Sequence, residues 1–196
     1  MKSVSEILAL FDRTGAYLRG HFRLTSGLHS PEYLQCALVL QHPQHAEELG
    51  SQLARKLEQS YPAGPIQTVV APAIGGLIIG HEVARALRAR FLFTERDSAG
   101  KMTLRRGFQV EAGETAVVIE DVITTGGSSR EVCEILRAAG VKVLGAGSII
   151  DRSSGAADLG VPHVALESMS VKAYSEADCP LCRDGVPVEK PGSRKS

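Results

Sequence analysis

A chain of 196 residues is long enough for one α/β domain with a real core, or for one domain with small appendages. Its 22 Lys and Arg balance 22 Asp and Glu, which removes the basic footprint expected of a protein whose main partner is nucleic acid. No apolar run reaches membrane-spanning length, the N-terminus has no signal-peptide pattern, and the absence of Trp leaves no aromatic base-stacking platform, so a cytoplasmic protein is expected.

In chain order, residues 3–18 read as an amphipathic helix, with Ser3 as its cap and Glu6 closing a capping box. Residues 20–35 read as irregular to extended. A second helix is expected over 43–59, with Leu49, Leu53 and Leu57 on one face, and Pro62, Gly64 and Pro65 break the chain after it. Strands follow at 68–71, 90–94, 116–120 and 141–150, with a short last one at 164–166. Helices at 77–89 and 128–139 separate them, the latter stopped by Gly140. Residues 95–107 are charged and contain Gly, as an exposed flap or hairpin would. From 174 the chain is turn-rich and ends in a polar tail. Alternating strands and helices predict an α/β fold with a mostly parallel central sheet and helices on both faces. Cys36 and Cys133 lie inside apolar patterns and are expected to be buried thiols.

The richest stretch is Val117-Val-Ile-Glu-Asp-Val-Ile-Thr-Thr-Gly-Gly-Ser-Ser129. An apolar run ends in two carboxylates, a loop of Thr and Gly follows, and a helix begins. Glu120 and Asp121 fall at the carboxyl end of a parallel strand, where α/β sheets bind ligands, and can accept hydrogen bonds from neighbouring sugar hydroxyls. Thr124, Thr125, Gly126, Gly127 and Ser128 can wrap a phosphate with amides and hydroxyls, helped by the N-terminus of the next helix. No Lys follows Gly127, which excludes a Walker A loop. Gly145-Ala-Gly147 lacks the third Gly of a dinucleotide fingerprint. An ordinary βα turn is the plain alternative. The stretch Val69-Val-Ala-Pro-Ala-Ile-Gly-Gly76 repeats the order of strand, tight loop and helix. Ala73, Ile74, Gly75 and Gly76 offer amides to a second anion, or simply an αL turn. Two anion cradles on one sheet suit a sugar phosphorylated at both ends.

The ribose-phosphate stretch resembles the phosphoribosyl-pyrophosphate motif of type I phosphoribosyltransferases. Three further stretches make the chain similar to the orotate phosphoribosyltransferase family: His21-Phe-Arg-Leu-Thr-Ser-Gly-Leu-His-Ser-Pro-Glu-Tyr33, the Ala71–Gly76 loop, and Ile150-Asp-Arg152. The resemblance covers about residues 1–175 as one domain, with a hood mainly from 1–40 and a flap at about 95–107, leaving 176–196 as a C-terminal extension. It implies transfer of phosphoribose to orotate, a Mg²⁺ requirement met mainly through the substrate rather than a protein cage, and a homodimer with the flap shared between subunits. By position, Glu120 and Asp121 would hold the ribose hydroxyls, residues 124–128 the 5′-phosphate, and Ala73 to Gly76 the pyrophosphate. Ser26, Tyr33, Thr124 and Arg152 would surround orotate, with Arg152 on its carboxylate. Arg96 and Lys101 would reach the pyrophosphate from the flap, beside Asp121 in catalysis, with Arg105 and Arg106 as secondary candidates. The pattern is departed from twice: Thr25 stands where many members carry Lys, and the flap has no His. Two alternatives stand beside this: a transferase for another base, against which Arg152 and residues 21–33 favour a base carrying a carboxylate, and a non-catalytic sensor on the same fold, which the two departures keep open.

Cys179-Pro-Leu-Cys182 is half a zinc site, a redox pair or two inert thiols. His163 is the one His near it in sequence, and no second C-x-x-C exists. His21, His29 and His81 fall in or near the expected site without a proton-transfer role.

Overall fold

The computed structural model describes residues 5–24, 26–62 and 64–191. They divide into two units: one from the two chain ends, up to Val39 and from Ser170, the other from Leu40 to Met169.

The first unit opens with α1 (Glu6–Arg13), where Ser5 Oγ accepts the Leu8 amide hydrogen at 3.2 Å. The helix is shorter than its apolar periodicity predicts, because Gly15 turns the chain at φ 68° and Tyr17 and Leu18 already belong to a strand. The expected cap, Ser3, lies outside the described residues. β1 (Tyr17–Arg23) and β2 (His29–Leu34) form an antiparallel hairpin with an irregularity between Arg19 and Phe22. A short α2 (Cys36–Leu40) follows.

In the second unit α3 (Pro43–Ser60) buries Leu49, Leu53 and Leu57 completely, the face its spacing predicts. The strands β3 (Thr68–Pro72), β4 (Arg90–Arg96), β5 (Met102–Leu104), β6 (Thr115–Ile123), β7 (Lys142–Asp151) and β8 (His163–Ser168) make one sheet in the order β5-β4-β3-β6-β7-β8. All neighbours are parallel except β4 and β5. α4 (Gly76–Leu87) joins β3 to β4, and α5 (Gly127–Ala138) joins β6 to β7. The sheet is covered on both faces. Val70, Val118 and Ala146 pack with Val132, Cys133 and Leu136 of α5, while a Cβ at Gly147 would touch Ile119, Leu53 and Leu57. This is the expected α/β architecture. The chain leaves β3 toward β4 on one side and returns at β6 on the other, so the order reverses between β3 and β6. In open α/β sheets ligands bind at the carboxyl ends beside such a reversal.

Cys36 and Cys133 are buried free thiols, as their apolar surroundings predict. Gly145 and Gly147 lie inside β7, not in a dinucleotide turn. At Gly50, α3 and α4 approach so closely that a Cβ would sit 2.5 Å from Glu82 Cβ. Gly50→Ala is therefore expected to cost about 1–3 kcal/mol of stability, read as the shift in a urea unfolding midpoint. An unmoved midpoint would mean that the two helices part freely there.

The C-terminal segment, expected as an extension from 176, belongs to the first unit. Its helix α6 (Pro180–Arg183) has a single turn, and Tyr174 and Glu189 bridge to His29 and Phe22 of the hairpin. No helix among the described residues is long and apolar enough to cross a membrane.

Candidate active site

Both glycine loops emerge at the reversal point. After β3, Ala73 donates its N–H to the Thr94 carbonyl at 2.8 Å, the Ala73–Ile74 peptide is cis, and α4 starts at Gly76 with Gly75 as its cap. Ile74 is 82% exposed, leaving the loop open to a ligand. A Cβ at Gly75 would lie 2.6 Å from Asp121 Oδ1, so the loop rests directly on that carboxylate. After β6, Thr124 and Thr125 are exposed, and Gly126 takes φ 77° as the cap of α5. Gly126 has no side chain to satisfy the first amides of α5, so these stay available to an anion.

Glu120 and Asp121 fall within β6, which runs on to Ile123, slightly beyond the end read from the sequence. Successive strand side chains point to opposite faces. Glu120 accordingly accepts the Ser129 hydroxyl from α5, and Asp121 meets the Gly75 loop before α4. Burial pushes the Glu120 carboxyl up to about 7, against the lowering effect of the Ser129 hydroxyl, with the nearby Asp121 charge adding to the rise. Burial raises Asp121 as well, although the Val122 amide donates to its Oδ1 at 2.9 Å. The two adjacent carboxylates also repel each other. Desolvation outweighs that repulsion here, because the side chains diverge. Ser129 carries no separate signal in the sequence; it sits in the first turn of α5, where its hydroxyl reaches back to the strand.

Residues 38–160 match the family described as the phosphoribosyl transferase domain. The orotate phosphoribosyltransferase of Pelotomaculum thermopropionicum is 56% identical over 97% of both chains, and that of Desulforamulus reducens 52% identical over 97% of both. The chain belongs to the orotate phosphoribosyltransferase family. A crystal structure of orotate phosphoribosyltransferase from Aeropyrum pernix superposes with a TM-score of 0.68 at 25% identity, covering 83% of this chain and 93% of that one.

Other residues singled out by the family pattern are placed as follows. Arg152 comes directly after β7, half-buried, and its amide donates to the Ile123 carbonyl at 2.8 Å, one strand over from the carboxylate pair. The preceding Asp151 is buried. Burial would raise its carboxyl, yet donors from Ser153 and Gly155 and the nearby His163 hold it below its ordinary value. In the first unit, Ser26 lies in an exposed turn and Tyr33 in β2, its ring 5.9 Å from that of Phe22. Thr25 lies outside the described residues.

The flap is a tight hairpin rather than a long loop. β4 pairs with β5, and Asp97 Oδ1 accepts from the amides of Ala99 and Lys101, both at 2.9 Å. Met102 is buried in the core cluster, which anchors one side of the hairpin. Lys101 and Arg105 are exposed. Arg106 forms a two-pronged pair with Glu95 at 2.8 Å, lowering that carboxyl. Arg96 grips Glu131 of α5 at 2.8 and 3.0 Å and the Gly100 carbonyl at 2.7 Å. Glu131 carries no local signal of this role, because the pair joins residues 35 positions apart.

His163 lies beside Asp151 in the sheet unit. The groups facing Cys179 and Cys182 are His21 and His29 of the hairpin. His81 is on α4, 3.4 Å from Glu82.

Proposed function

We propose that this chain transfers phosphoribose from 5-phosphoribosyl 1-pyrophosphate to orotate, giving orotidine 5′-phosphate and pyrophosphate in pyrimidine synthesis. The observation that carries the reading is the meeting of the Gly75 loop with Asp121 where the strand order reverses, beside Glu120 and the open start of α5. The names of the related proteins support orotate as the acceptor.

In this reading Glu120 and Asp121 accept hydrogen bonds from the ribose hydroxyls. Thr124, Thr125 and the amides of Gly126, Gly127 and Ser128 hold the 5′-phosphate. Ala73 to Gly76 present amides to the pyrophosphate. As the bond from ribose C1 to pyrophosphate breaks, its electron pair leaves with the pyrophosphate oxygen and the sugar ring becomes cationic. The orotate ring nitrogen then bonds to C1 and gives up its proton, which leaves with the pyrophosphate. Donors aimed at the departing oxygens stabilise this charge separation, and no protein nucleophile is needed. Two diverging carboxylates, one already accepting from Ser129, make no all-protein cage, which fits Mg²⁺ held mainly by substrate phosphates. When bound, the ion neutralises pyrophosphate charge.

Arg152 pairs with the orotate carboxylate, and Ser26, Tyr33 and Thr124 line the base. Lys101 and Arg96 supply flap cations to the pyrophosphate, Arg96 exchanging Glu131 for it. The flap serves the neighbouring subunit of a homodimer, and the enzyme works in the cytoplasm. The test is orotate consumption, followed by ultraviolet absorbance with phosphoribosyl pyrophosphate and Mg²⁺. Wild type is expected to consume orotate, and Arg152→Ala to lose about 10- to 100-fold in kcat/KM for it, the worth of a charge-assisted bond. A wild type inert on orotate but active on another base would move the assignment to that base.

A further inference from the structure

We propose that His21, His29, Cys179 and Cys182 form a closed tetrahedral zinc site that fastens the C-terminal segment to the N-terminal hairpin. The four ligand atoms all lie within 4.8 Å of one another, and no other group of at least three such side chains is found among the described residues. His29 Nδ1 is 3.2 Å from Cys182 Sγ, and His21 Nε2 is 3.5 Å from Cys179 Sγ and 3.6 Å from Cys182 Sγ. Metal–ligand bonds of about 2.0–2.3 Å at tetrahedral angles give ligand–ligand edges of about 3.3–3.8 Å. The two nitrogens, at 2.9 Å, and His29 Nδ1 with Cys182 Sγ, at 3.2 Å, are closer than that, and the remaining pairs lie within 4.8 Å, so modest side-chain shifts seat an ion.

Hydrogen bonding alone does not account for the cluster. His21 Nδ1 faces the Val186 carbonyl at 2.7 Å, which can only accept. Nδ1 is therefore the donor there, and with Nδ1–H so engaged it is the Nε2 lone pair that the ring offers to a ligand. Three groups converge on that lone pair: His29 Nδ1, Cys179 Sγ and Cys182 Sγ. One lone pair accepts one good hydrogen bond, whereas one central cation satisfies all four atoms. The contact to Val186 is also the outer partner that metal-bound imidazoles ordinarily have, fixing the tautomer that ligates. Two thiolates balance the charge of Zn²⁺, which suits a place where His21, His29 and Cys179 are almost wholly buried. Four protein ligands leave no open position, so the ion is structural.

The first unit has a use for such a link. Its C-terminal segment contains one four-residue helix, and its Val186 and Val188 are exposed rather than packed. Backbone bonds attach it to the hairpin, Tyr174 with His29 and Glu189 with His21 and Arg23, all at 2.8 Å. The four side chains tie the same two segments together through the sulfur and imidazole atoms. Both cysteines are free thiols in the structure.

The test uses the full chain purified under reducing conditions. Elemental analysis is expected to find about one zinc per chain. The protein stripped by a chelator and titrated with Co²⁺ is expected to develop the visible bands of a tetrahedral cobalt–thiolate centre. Removing the ion should lower the melting temperature and Zn²⁺ should restore it. Cys179→Ser, Cys182→Ser and His29→Gln should each lose the metal or hold it far more weakly. The proposal is overturned if reduced wild type takes up neither ion, or if the double cysteine variant keeps a full complement. A Cys179–Cys182 disulfide in freshly isolated, zinc-free protein would also overturn it. The wild-type cobalt spectrum decides the matter even if the variants fail to fold, and none of these readouts depends on which base the enzyme uses.

Discussion

Glu120→Gln is expected to make the protein more stable at alkaline pH while making it a poorer enzyme. The Glu120 carboxyl is raised from 4.5 to about 7, chiefly by burial. In the unfolded chain it loses its proton near the ordinary value. Between these two points the fold retains a proton that the unfolded chain releases, so stability falls as pH rises through that window and the penalty is complete above about 7. Gln can still accept the Ser129 hydroxyl and carries no charge to desolvate. The variant should match wild type near pH 5 and exceed it near pH 8 by something on the order of 2 kcal/mol. Activity should move the other way. Losing a charged acceptor for a ribose hydroxyl corresponds to about a 10- to 100-fold fall in kcat/KM for phosphoribosyl pyrophosphate. Urea midpoints at the two pH values check the first half, and steady-state kinetics the second. An equal stability difference at both pH values would remove the burial argument. Full activity in the variant would remove Glu120 from the ribose site.

The two glycine loops and the sheet were legible in the sequence because their signals are local. Val117 to Ile119 and Val69 to Ala71 are buried runs inside strands, and after each strand a short glycine-containing loop hands the chain to a helix. What lay outside the sequence's reach depends on pairing across long separations. α1 stops at Arg13 because Tyr17 to Arg23 is claimed by a partner strand that periodicity cannot see. α2 is too short for a helical period to emerge. Arg96 looks like a free flap cation until α5 places Glu131 against it. The cysteine pair looks like half of something, since His21 is 158 positions from Cys179, and only the pairing of the two chain ends brings them together. The shared physical reason is that local order fixes which atoms are available, whereas charge and ligand partnerships are fixed by topology.

That distinction gives the Gly75→Ala prediction its interest, since this position combines an easy backbone with a crowded destination. Gly75 has φ −58° and ψ −41°, a helical conformation any residue adopts, and it is exposed. Folding should therefore change by less than about 1 kcal/mol. The new methyl, however, would stand 2.6 Å from Asp121 Oδ1 and 2.9 Å from its Cγ and Oδ2. Asp121 has little freedom to yield, because it is half-buried on β6 and its Oδ1 is held by the Val122 amide. Either the loop lifts or the carboxylate rotates, and each moves one half of the proposed site relative to the other. Misplacement of about 1 Å between reacting groups is worth about 100-fold in rate, so kcat/KM should fall by about that factor with little change in the unfolding midpoint. Gly76→Ala should behave differently. Its methyl would press on the Ile119 carbonyl oxygen at 2.8 Å and on Ala71 Cβ at 3.0 Å, inside the packing of α4 on the sheet. Stability, more than turnover, should suffer there. If Gly75→Ala instead keeps wild-type kinetics, the contact between loop and carboxylate is packing alone, and ribose and pyrophosphate must be held by groups that do not depend on it.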